Sequence, residues 1–330
     1  MDRIRRIRKV WLFVGGLIAG LLIGVLVKVM MHHNPGLPIQ TSKIVSKKIY
    51  FNVDKIEGLG EEFPDMNSFV HENIRKYLNK AYIVFGDYLD PNCEMFKISP
   101  NVARNDIDWG TEFYNAENEL YFRRFKDGQP IGKIGIDVSE FQKNIDWERV
   151  KGAGVEVAIV RVGYRGYGES AKMVEDPTMD ANLNGANSVG IETGVYFFSS
   201  AINRDEGVAE AQFVLDRIGG YNITQPIIID TERIGEGSGA RADEISVEDR
   251  TAAVVGFCET IEAAGYTPMI YASRDQFVKY LDIDKIGKWE FWLAAYDTPV
   301  FPYHTEAYQY TPYGLVDGIE GNVDLDVWMR

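Results

Sequence analysis

The sequence predicts an incomplete (β/α) barrel of the TIM type, preceded by one transmembrane helix and a small α+β module. Three observations support this prediction. From residue 131 onward, short β-branched runs alternate with longer helical patterns, which is typical of a mainly parallel α/β sheet. Several of the short runs end in a carboxylate, and residues 10–27 form an apolar stretch without charge. An open, doubly wound sheet is the alternative to the barrel.

The amino terminus combines a basic tail with the apolar run. Residues 1–9 carry a charge of +4, whereas the whole chain carries −14. A helix over residues 10–27 would span about 27 Å, enough for the hydrocarbon core of a bilayer. The residues that follow make a poor cleavage site, so we expect an uncleaved anchor over residues 10–31. The positive-inside rule then predicts a single-pass protein of the cell membrane, with residues 1–9 in the cytoplasm and the C-terminal domain outside the cell.

The chain between the anchor and residue 131 is less informative. Residues 32–43 contain two prolines and a glycine and read as a spacer. Residues 44–130 contain too many Phe, Tyr and Ile residues for a solvated linker, but they carry no recognisable motif. The run Asp127-Gly128-Gln129-Pro130 indicates a turn and a boundary. We therefore predict an unassigned extracytoplasmic module over 44–130 and a barrel domain over 131–330.

Within residues 131–330, hydrophobic periodicity and helix start and stop signals predict the following order of elements. It runs strand Lys133–Val138, helix Trp147–Ala153, strand Val155–Gly163, helix Pro177–Val189, strand Ile191–Phe198, helix Arg204–Ile218, strand Ile227–Asp230, helix Val247–Ala264, strand Pro268–Ala272, helix Arg274–Leu281 and strand Phe291–Ala295. Short β segments near Ala307–Tyr310 and Gly318–Leu325 complete the chain. Helices are therefore expected to be missing near the end of the barrel.

The predicted strand Ile227–Asp230 is followed closely by a second acid. Three consecutive isoleucines after a proline are typical of a strand that is buried on both faces. Because strand side chains alternate, Asp230 and Glu232 point to the same side, with Cα atoms roughly 6.6 Å apart. Burial and mutual repulsion raise the pKa of one member of such a pair, which can then act as a general acid beside an ionised partner.

Further acids and aromatic residues are expected at the carboxyl ends of the other strands, where barrels carry their functional groups. Asp137 ends the first strand, and Asp324 and Asp326 lie in the last one. Carboxylates surrounded by aromatic faces suit a carbohydrate, because sugar C–H groups stack on rings while hydroxyls form hydrogen bonds. The candidates for substrate binding are Tyr196, Phe198, Tyr271, Trp292, Tyr296, Tyr310 and Asp326.

Other classes of site have little support. The acidic chain is poorly suited to nucleic acid, whose phosphates require a basic surface. Cys93 and Cys258 lie far apart, and the four histidines include no helix-spaced pair, so we expect no zinc site. The glycine-rich run 163–168 lacks the spacing of a dinucleotide fingerprint. We therefore expect neither a metal nor a cofactor.

Several runs of residues together resemble the lysozymes of glycoside hydrolase family 25. They are GIDVSEFQ at 135–142, VAIVRVG at 157–163, GVYFF at 194–198, PIIIDTE at 226–232, WLAAY at 292–296 and GNVDLD at 321–326. The resemblance covers residues 131–330. One departure is Tyr308-Gln309-Tyr310, where the family more often has Trp-Gln-Tyr.

This resemblance implies an incomplete β/α barrel and a muramidase. Such enzymes hydrolyse the β-1,4 bond between N-acetylmuramic acid and N-acetylglucosamine, so peptidoglycan glycan strands would be the partner. Carried over by position, Glu232 matches the general acid and Asp230 its partner carboxylate. Asp137 and Asp324 match two supporting acids of the cleft.

Two other classes of function are compatible with the sequence. One is a carbohydrate-binding module that has lost catalysis, although the presence of all four family acids argues against that loss. The other is a scaffold of a cell-wall machine that recruits partners through residues 44–130. The stereochemical outcome is also open, since the strand spacing of the two acids fits neither a retaining nor an inverting enzyme clearly. Because both acids project from one strand, we favour attack by the 2-acetamido oxygen of the substrate itself.

Overall fold

The computed structural model describes residues 79–86, 92–108, 111–114, 121–235, 237–296 and 301–329. The predicted cytoplasmic tail (1–9), the anchor (10–31) and the spacer (32–43) lie outside these residues. Among the helices that are described, none is long and apolar enough to cross a bilayer.

The described residues contain strands and helices in the following order. The strands are β1 (Tyr82–Phe85), β2 (Glu94–Lys97), β3 (Phe113–Tyr114), β4 (Arg123–Lys126), β5 (Gln129–Pro130), β6 (Lys133–Val138), β7 (Val157–Arg165), β8 (Met173–Glu175), β9 (Glu192–Ser199), β10 (Ile227–Thr231), β11 (Pro268–Ser273), β12 (Glu290–Ala294), β13 (Ala307–Gly314) and β14 (Val323–Trp328). The helices are α1 (Trp147–Gly152), α2 (Met179–Ser188), α3 (Arg204–Ile218), α4 (Val247–Ala263), α5 (Arg274–Lys279) and α6 (Ile283–Ile286), and a 3-10 turn covers Glu140–Gln142. The elements predicted after residue 131 are present, and β8 and α6 are additional.

Eight strands from β6 onward close into a barrel. Their order is β6-β14-β13-β12-β11-β10-β9-β7, and β6 pairs with β7 to complete the ring. Neighbouring strands are parallel except at β14, which runs antiparallel to both β13 and β6. Strand β8 pairs only with β7, outside the ring. The predicted barrel is therefore confirmed and the open sheet is wrong, while the last strand departs from a fully parallel arrangement.

Local signals in the sequence explain where the helices begin. Side chains of Asp146, Asn203, Ser246 and Ser273 accept hydrogen bonds from backbone N–H groups in the first turns of α1, α3, α4 and α5, respectively. Such caps satisfy N–H groups that have no partner within the helix. These helices alternate with the strands from β6 to β11 and cover that part of the barrel.

The rest of the barrel is covered by chain that precedes it. In the described residues no helix lies between β12 and β13 or between β13 and β14. Five apolar residues from before the barrel join the same hydrophobic cluster as the barrel strands: Ile83, Ile98, Val102, Ile107 and Tyr121. The described residues from 79 onward accordingly belong to one compact unit.

Hydrogen bonds attach this covering segment to the end of the chain. The backbone N–H of Ser99 donates to the Tyr303 hydroxyl at 2.8 Å, and the His304 N–H donates to the Ala103 carbonyl at 2.9 Å. The Tyr121 hydroxyl donates to the Leu315 carbonyl at 3.2 Å. The described part of the predicted 44–130 module therefore shares the core of the barrel.

We predict that a chain beginning at residue 131 will not form a stable barrel, whereas a chain beginning at residue 46 will. Fully burying an apolar side chain contributes about 1.5–3 kcal/mol. The five covering residues together thus match the roughly 5–15 kcal/mol by which an ordinary domain is stable. Thermal unfolding followed by circular dichroism tests this prediction. Cooperative unfolding of both chains at the same midpoint would contradict it.

Candidate active site

Five acids lie at or near the carboxyl ends of the parallel strands. Asp137 lies on β6, Asp230 on β10 and Glu232 directly after β10, and β14 contributes Asp324 and Asp326. The antiparallel pairing of β14 with β6 places Asp324 opposite Asp137. Repulsion between Asp137 and the acids on β14 and β10 raises the pKa of Asp137, in addition to burial. The structure therefore brings together the four predicted catalytic acids, with Asp326 beside them.

The carboxyl groups of Asp230 and Glu232 form a closely interacting pair. Burial is the largest cause that raises the pKa of each carboxyl group. Repulsion by Glu232 raises the pKa of Asp230 further, whereas the contact with Asp230 opposes the rise in the pKa of Glu232. Asp230 is only 6 % exposed, whereas Glu232 is partly buried and lies nearer the solvent. Asp230 is therefore the deeper carboxyl group of the pair, and burial opposes the ionisation of both groups.

Gln309 connects the acids to two tyrosines. Its amide Nε2 donates to Asp137 Oδ2 at 2.8 Å. Its Oε1 accepts from the Tyr271 hydroxyl at 2.8 Å and from the Tyr296 hydroxyl at 2.7 Å. Burial raises the pKa of Asp137, and the hydrogen bond that Gln309 donates to Asp137 opposes this effect. Burial also raises the pKa of Asp324, to about 6.

Asp326 and Trp292 form the buried floor of the site. Asp326 is fully buried, and the Trp292 indole Nε1 donates to its Oδ1 at 3.0 Å. The rings of Trp292 and Tyr271 pack edge to face, with centroids 4.5 Å apart. Burial raises the pKa of Asp326 well above its ordinary value. These residues, predicted as contacts for substrate, hold the layer beneath the exposed groups.

The other predicted aromatic residues divide into two groups. Tyr296 is 51 % exposed at the mouth of the barrel, and Tyr196 and Phe198 are partly buried on β9. Phe198 lies beside Asp230 in the strand register. Tyr310 instead packs against the hydrophobic cluster that contains Val102 and Tyr121. Its ring lies edge-on to that of Phe122, with ring centroids 5.1 Å apart. Tyr310 therefore packs against Phe122 rather than against the acid pair, although the charge of Asp326 adds to the rise in its pKa that burial causes.

Two residues of the site were not predicted, Gln309 and Arg161. Arg161 lies on β7 in register with Tyr196, and its positive charge lowers the pKa of Asp230. Its guanidinium donates to Asp176 at 2.7 Å and to Glu140 at 2.9 Å. A charged residue inside an otherwise apolar strand was the available signal for Arg161. Gln309 offered only its place between two tyrosines.

The described residues include no group of three or more His, Cys, Asp or Glu side chains that is arranged to hold a metal ion. The acids themselves offer a chemistry of proton transfer and charge stabilisation. The site combines a buried pair of carboxyl groups on one strand with further acids across the barrel. Such an arrangement can donate a proton on one side of a bound molecule and stabilise positive charge on the other.

Comparison with known proteins agrees with this geometry. The family model described as "Glycosyl hydrolases family 25" matches residues 136–319, more than half of the chain. Lysozyme M1 of Streptomyces globisporus is 27% identical over 209 residues, which cover 58% of this chain and 66% of that protein. The autolytic lysozyme of Clostridium acetobutylicum is 25% identical over 194 residues, which cover 58% of this chain and 54% of that protein. The chain thus spans less than two thirds of the length of these relatives.

Solved structures show the same fold. The bacterial lysozyme from Streptomyces coelicolor is 25% identical with a TM-score of 0.50, and the match covers 60% of this chain and 93% of that one. A family 25 glycosyl hydrolase from Bacillus anthracis is 20% identical with a TM-score of 0.52, and the match covers 63% of this chain and 93% of that one. The modular autolysin LytC from Streptococcus pneumoniae is 24% identical with a TM-score of 0.54, and the match covers 75% of this chain and 56% of that one. The family match over more than half of its length places this chain among the glycosyl hydrolases of family 25.

Proposed function

We propose that this protein is a membrane-anchored muramidase that hydrolyses the β-1,4 bond between N-acetylmuramic acid and N-acetylglucosamine in peptidoglycan. The observation that carries the proposal is the pair Asp230 and Glu232 at the carboxyl end of β10, whose pKa values burial raises, together with Asp137 and Asp324 on β6 and β14. The named relatives are lysozymes, and a similar structure is that of LytC in complex with a synthetic peptidoglycan ligand. Family membership and this acid pair support the same reaction.

Hydrolysis of a glycosidic bond requires a proton for the leaving oxygen and negative charge near the developing oxocarbenium ion. Glu232 is the more accessible carboxyl of the pair and is assigned the role of general acid. Asp137 and Asp324 lie opposite each other in the register of β6 and β14, and repulsion between them adds to the burial that raises the pKa of Asp137. Tyr296 offers an exposed ring at the mouth for contact with a sugar.

The position of both acids at the end of one strand, β10, favours a substrate-assisted route. Burial and mutual repulsion oppose ionisation of both carboxyl groups at once. When the N–H of a 2-acetamido group donates to Asp230, it favours the ionised form of Asp230, so the proton of the pair is held by Glu232. Glu232 then protonates the leaving oxygen while the acetamido oxygen bonds to the anomeric carbon and the glycosidic bond breaks. Water attacks that carbon next, and its proton returns to Glu232 as the acetamido oxygen leaves.

We predict that Glu232→Gln reduces hydrolysis by about 10²- to 10⁴-fold, the range of a general acid, while peptidoglycan binding is retained. Release of reducing ends from purified peptidoglycan, together with a pelleting assay for binding, measures the two effects. The control is Glu244→Gln, because the Glu244 side chain is 87% exposed on the following loop. Activity of Glu232→Gln within a few fold of the wild type would remove Glu232 from this role. Binding by a wild type that never hydrolyses would favour a binding or scaffold protein.

The mechanism makes a second prediction about the substrate. A glycan whose cleaved sugar carries a 2-hydroxyl in place of the 2-acetamido group should bind but turn over orders of magnitude more slowly, because it lacks the internal nucleophile. Chromatography of the products from matched oligosaccharides measures this difference. Rapid cleavage of the hydroxyl analogue, or a glycosyl ester found on Asp230 by mass spectrometry, would show that a protein nucleophile operates instead.

The membrane part of the proposal rests on the sequence of residues 1–31. A basic tail before an apolar run supports a single-pass protein of the cell membrane with residues 32–330 outside the cytoplasm. Protease added to cells stripped of their wall should digest the barrel domain but spare a cytoplasmic marker protein. A protected barrel would contradict the orientation. A mature amino terminus near residue 32 would contradict the anchor.

A further inference from the structure

Gln309 has an unusual setting for an uncharged residue. It is 2 % exposed, and β13 places it in register with Asp326 of β14. A side-chain amide has one oxygen that accepts and one NH₂ group that donates. In Gln309 the oxygen accepts from both Tyr271 and Tyr296, while the NH₂ donates to Asp137. Both ends of the amide are therefore committed to groups of the site.

The hydroxyl of Tyr271 has two possible acceptors. A tyrosine hydroxyl carries a single proton, so it can donate to one oxygen at a time. Donation to Glu232 lowers the pKa of that carboxyl. The Tyr271 oxygen lies 2.8 Å from Gln309 Oε1, so Gln309 competes with Glu232 for this proton. When the proton is donated to Gln309, the Tyr271 oxygen is left to accept a hydrogen bond, which favours the protonated form of Glu232.

We propose that Gln309 is a positioning residue for the hydrolysis, which donates to the Asp137 carboxylate and draws the hydroxyl proton of Tyr271 away from Glu232. This inference rests on the proposed function. Its consequence is that one uncharged side chain acts on two acids in opposite directions. It favours the ionised form of Asp137, which stabilises positive charge, and the protonated form of Glu232, which donates. Separation of this kind is what assigns an acid and a base among neighbouring carboxyl groups.

The surroundings make this action necessary. Asp137 faces three acids that each oppose its ionisation, Asp324 and Asp326 on β14 and Asp230 on β10. On β7, Arg161 lies toward Asp230 and Tyr196, and its guanidinium is engaged by Asp176 and Glu140. Gln309 is the group whose hydrogen bond lowers the pKa of Asp137.

Two substitutions separate positioning from simple packing. Gln309→Leu removes both hydrogen-bonding functions, and we expect kcat on peptidoglycan to fall about 10- to 100-fold, as for the loss of a hydrogen bond to a charged group, with a smaller change in KM. The pH profile should also narrow, because Asp137 then needs a higher pH to ionise and Glu232 loses its proton at a lower one.

Gln309→Glu provides the sharper test. When protonated, the introduced carboxyl has one O–H to donate to Asp137 and one oxygen to accept from the tyrosines, so it reproduces the amide. When ionised, it cannot donate and it repels Asp137. Burial among acids raises the pKa of the introduced group. The activity of Gln309→Glu relative to the wild type should therefore rise as the pH falls, whereas Gln309→Leu should show no such recovery.

Gln276→Leu is the matched control, because Gln276 is 3 % exposed and lies on α5, outside the site. It should leave the pH profile unchanged. Circular dichroism and thermal unfolding establish that each variant is folded. If Gln309→Glu follows the wild-type profile at every pH, the positioning role is wrong even though hydrolysis stands.

A second readout does not depend on activity. The ¹³C chemical shift of the Asp137 carboxyl carbon, identified by its loss in Asp137→Asn, reports the titration of that group. Its pKa should be higher in Gln309→Leu than in the wild type and unchanged in Gln276→Leu. An equal pKa in all three proteins would overturn the inference. If the wild type releases no reducing ends, the proposed function fails, and this titration still decides the role of Gln309.

Discussion

Closure of the barrel through β14 is the interaction on which the site depends. This strand pairs antiparallel with both β13 and β6, so it completes the ring and places Asp324 opposite Asp137. Closure of the barrel also changes the pKa values of the acids, because it buries them. Burial is the largest cause of the raised pKa of Asp137, Asp230, Asp324 and Asp326. In an open sheet the same carboxyl groups would be hydrated and would titrate near their ordinary values.

The same closure explains the role of the chain before the barrel. Strands β12 to β14 follow one another without an intervening helix in the described residues, so their outer faces need another cover. Val102 and Tyr121 provide part of it by joining the cluster that contains Tyr303 and Leu325. The stability of strands β12 to β14, and with it the position of Asp324, therefore depends on residues that lie outside the family match at 136–319.

The sequence was informative wherever a residue pattern determines structure locally. The alternation of elements after residue 131 and the isoleucines before Asp230 predicted the barrel and its central acid pair. The direction of β14 could not be predicted, because a short alternating segment has the same pattern in either orientation. The direction in which the Tyr310 side chain points could not be predicted for a related reason. It lies one residue from Gln309, and only the register, which is irregular between Gln309 and Thr311, shows which of the two side chains faces the acids.

Hydrogen-bond donors, rather than the acids alone, determine the chemistry of this site. Five carboxyl groups enclosed together cannot all be ionised near neutral pH, because each added charge is both desolvated and repelled. Which of them carry charge is decided by the donors that reach them, such as Gln309 for Asp137 and Trp292 for Asp326. The acids are visible in the sequence as a set of Asp and Glu residues. Their division into proton donor and charged supports arises only when distant strands bring these partners into contact.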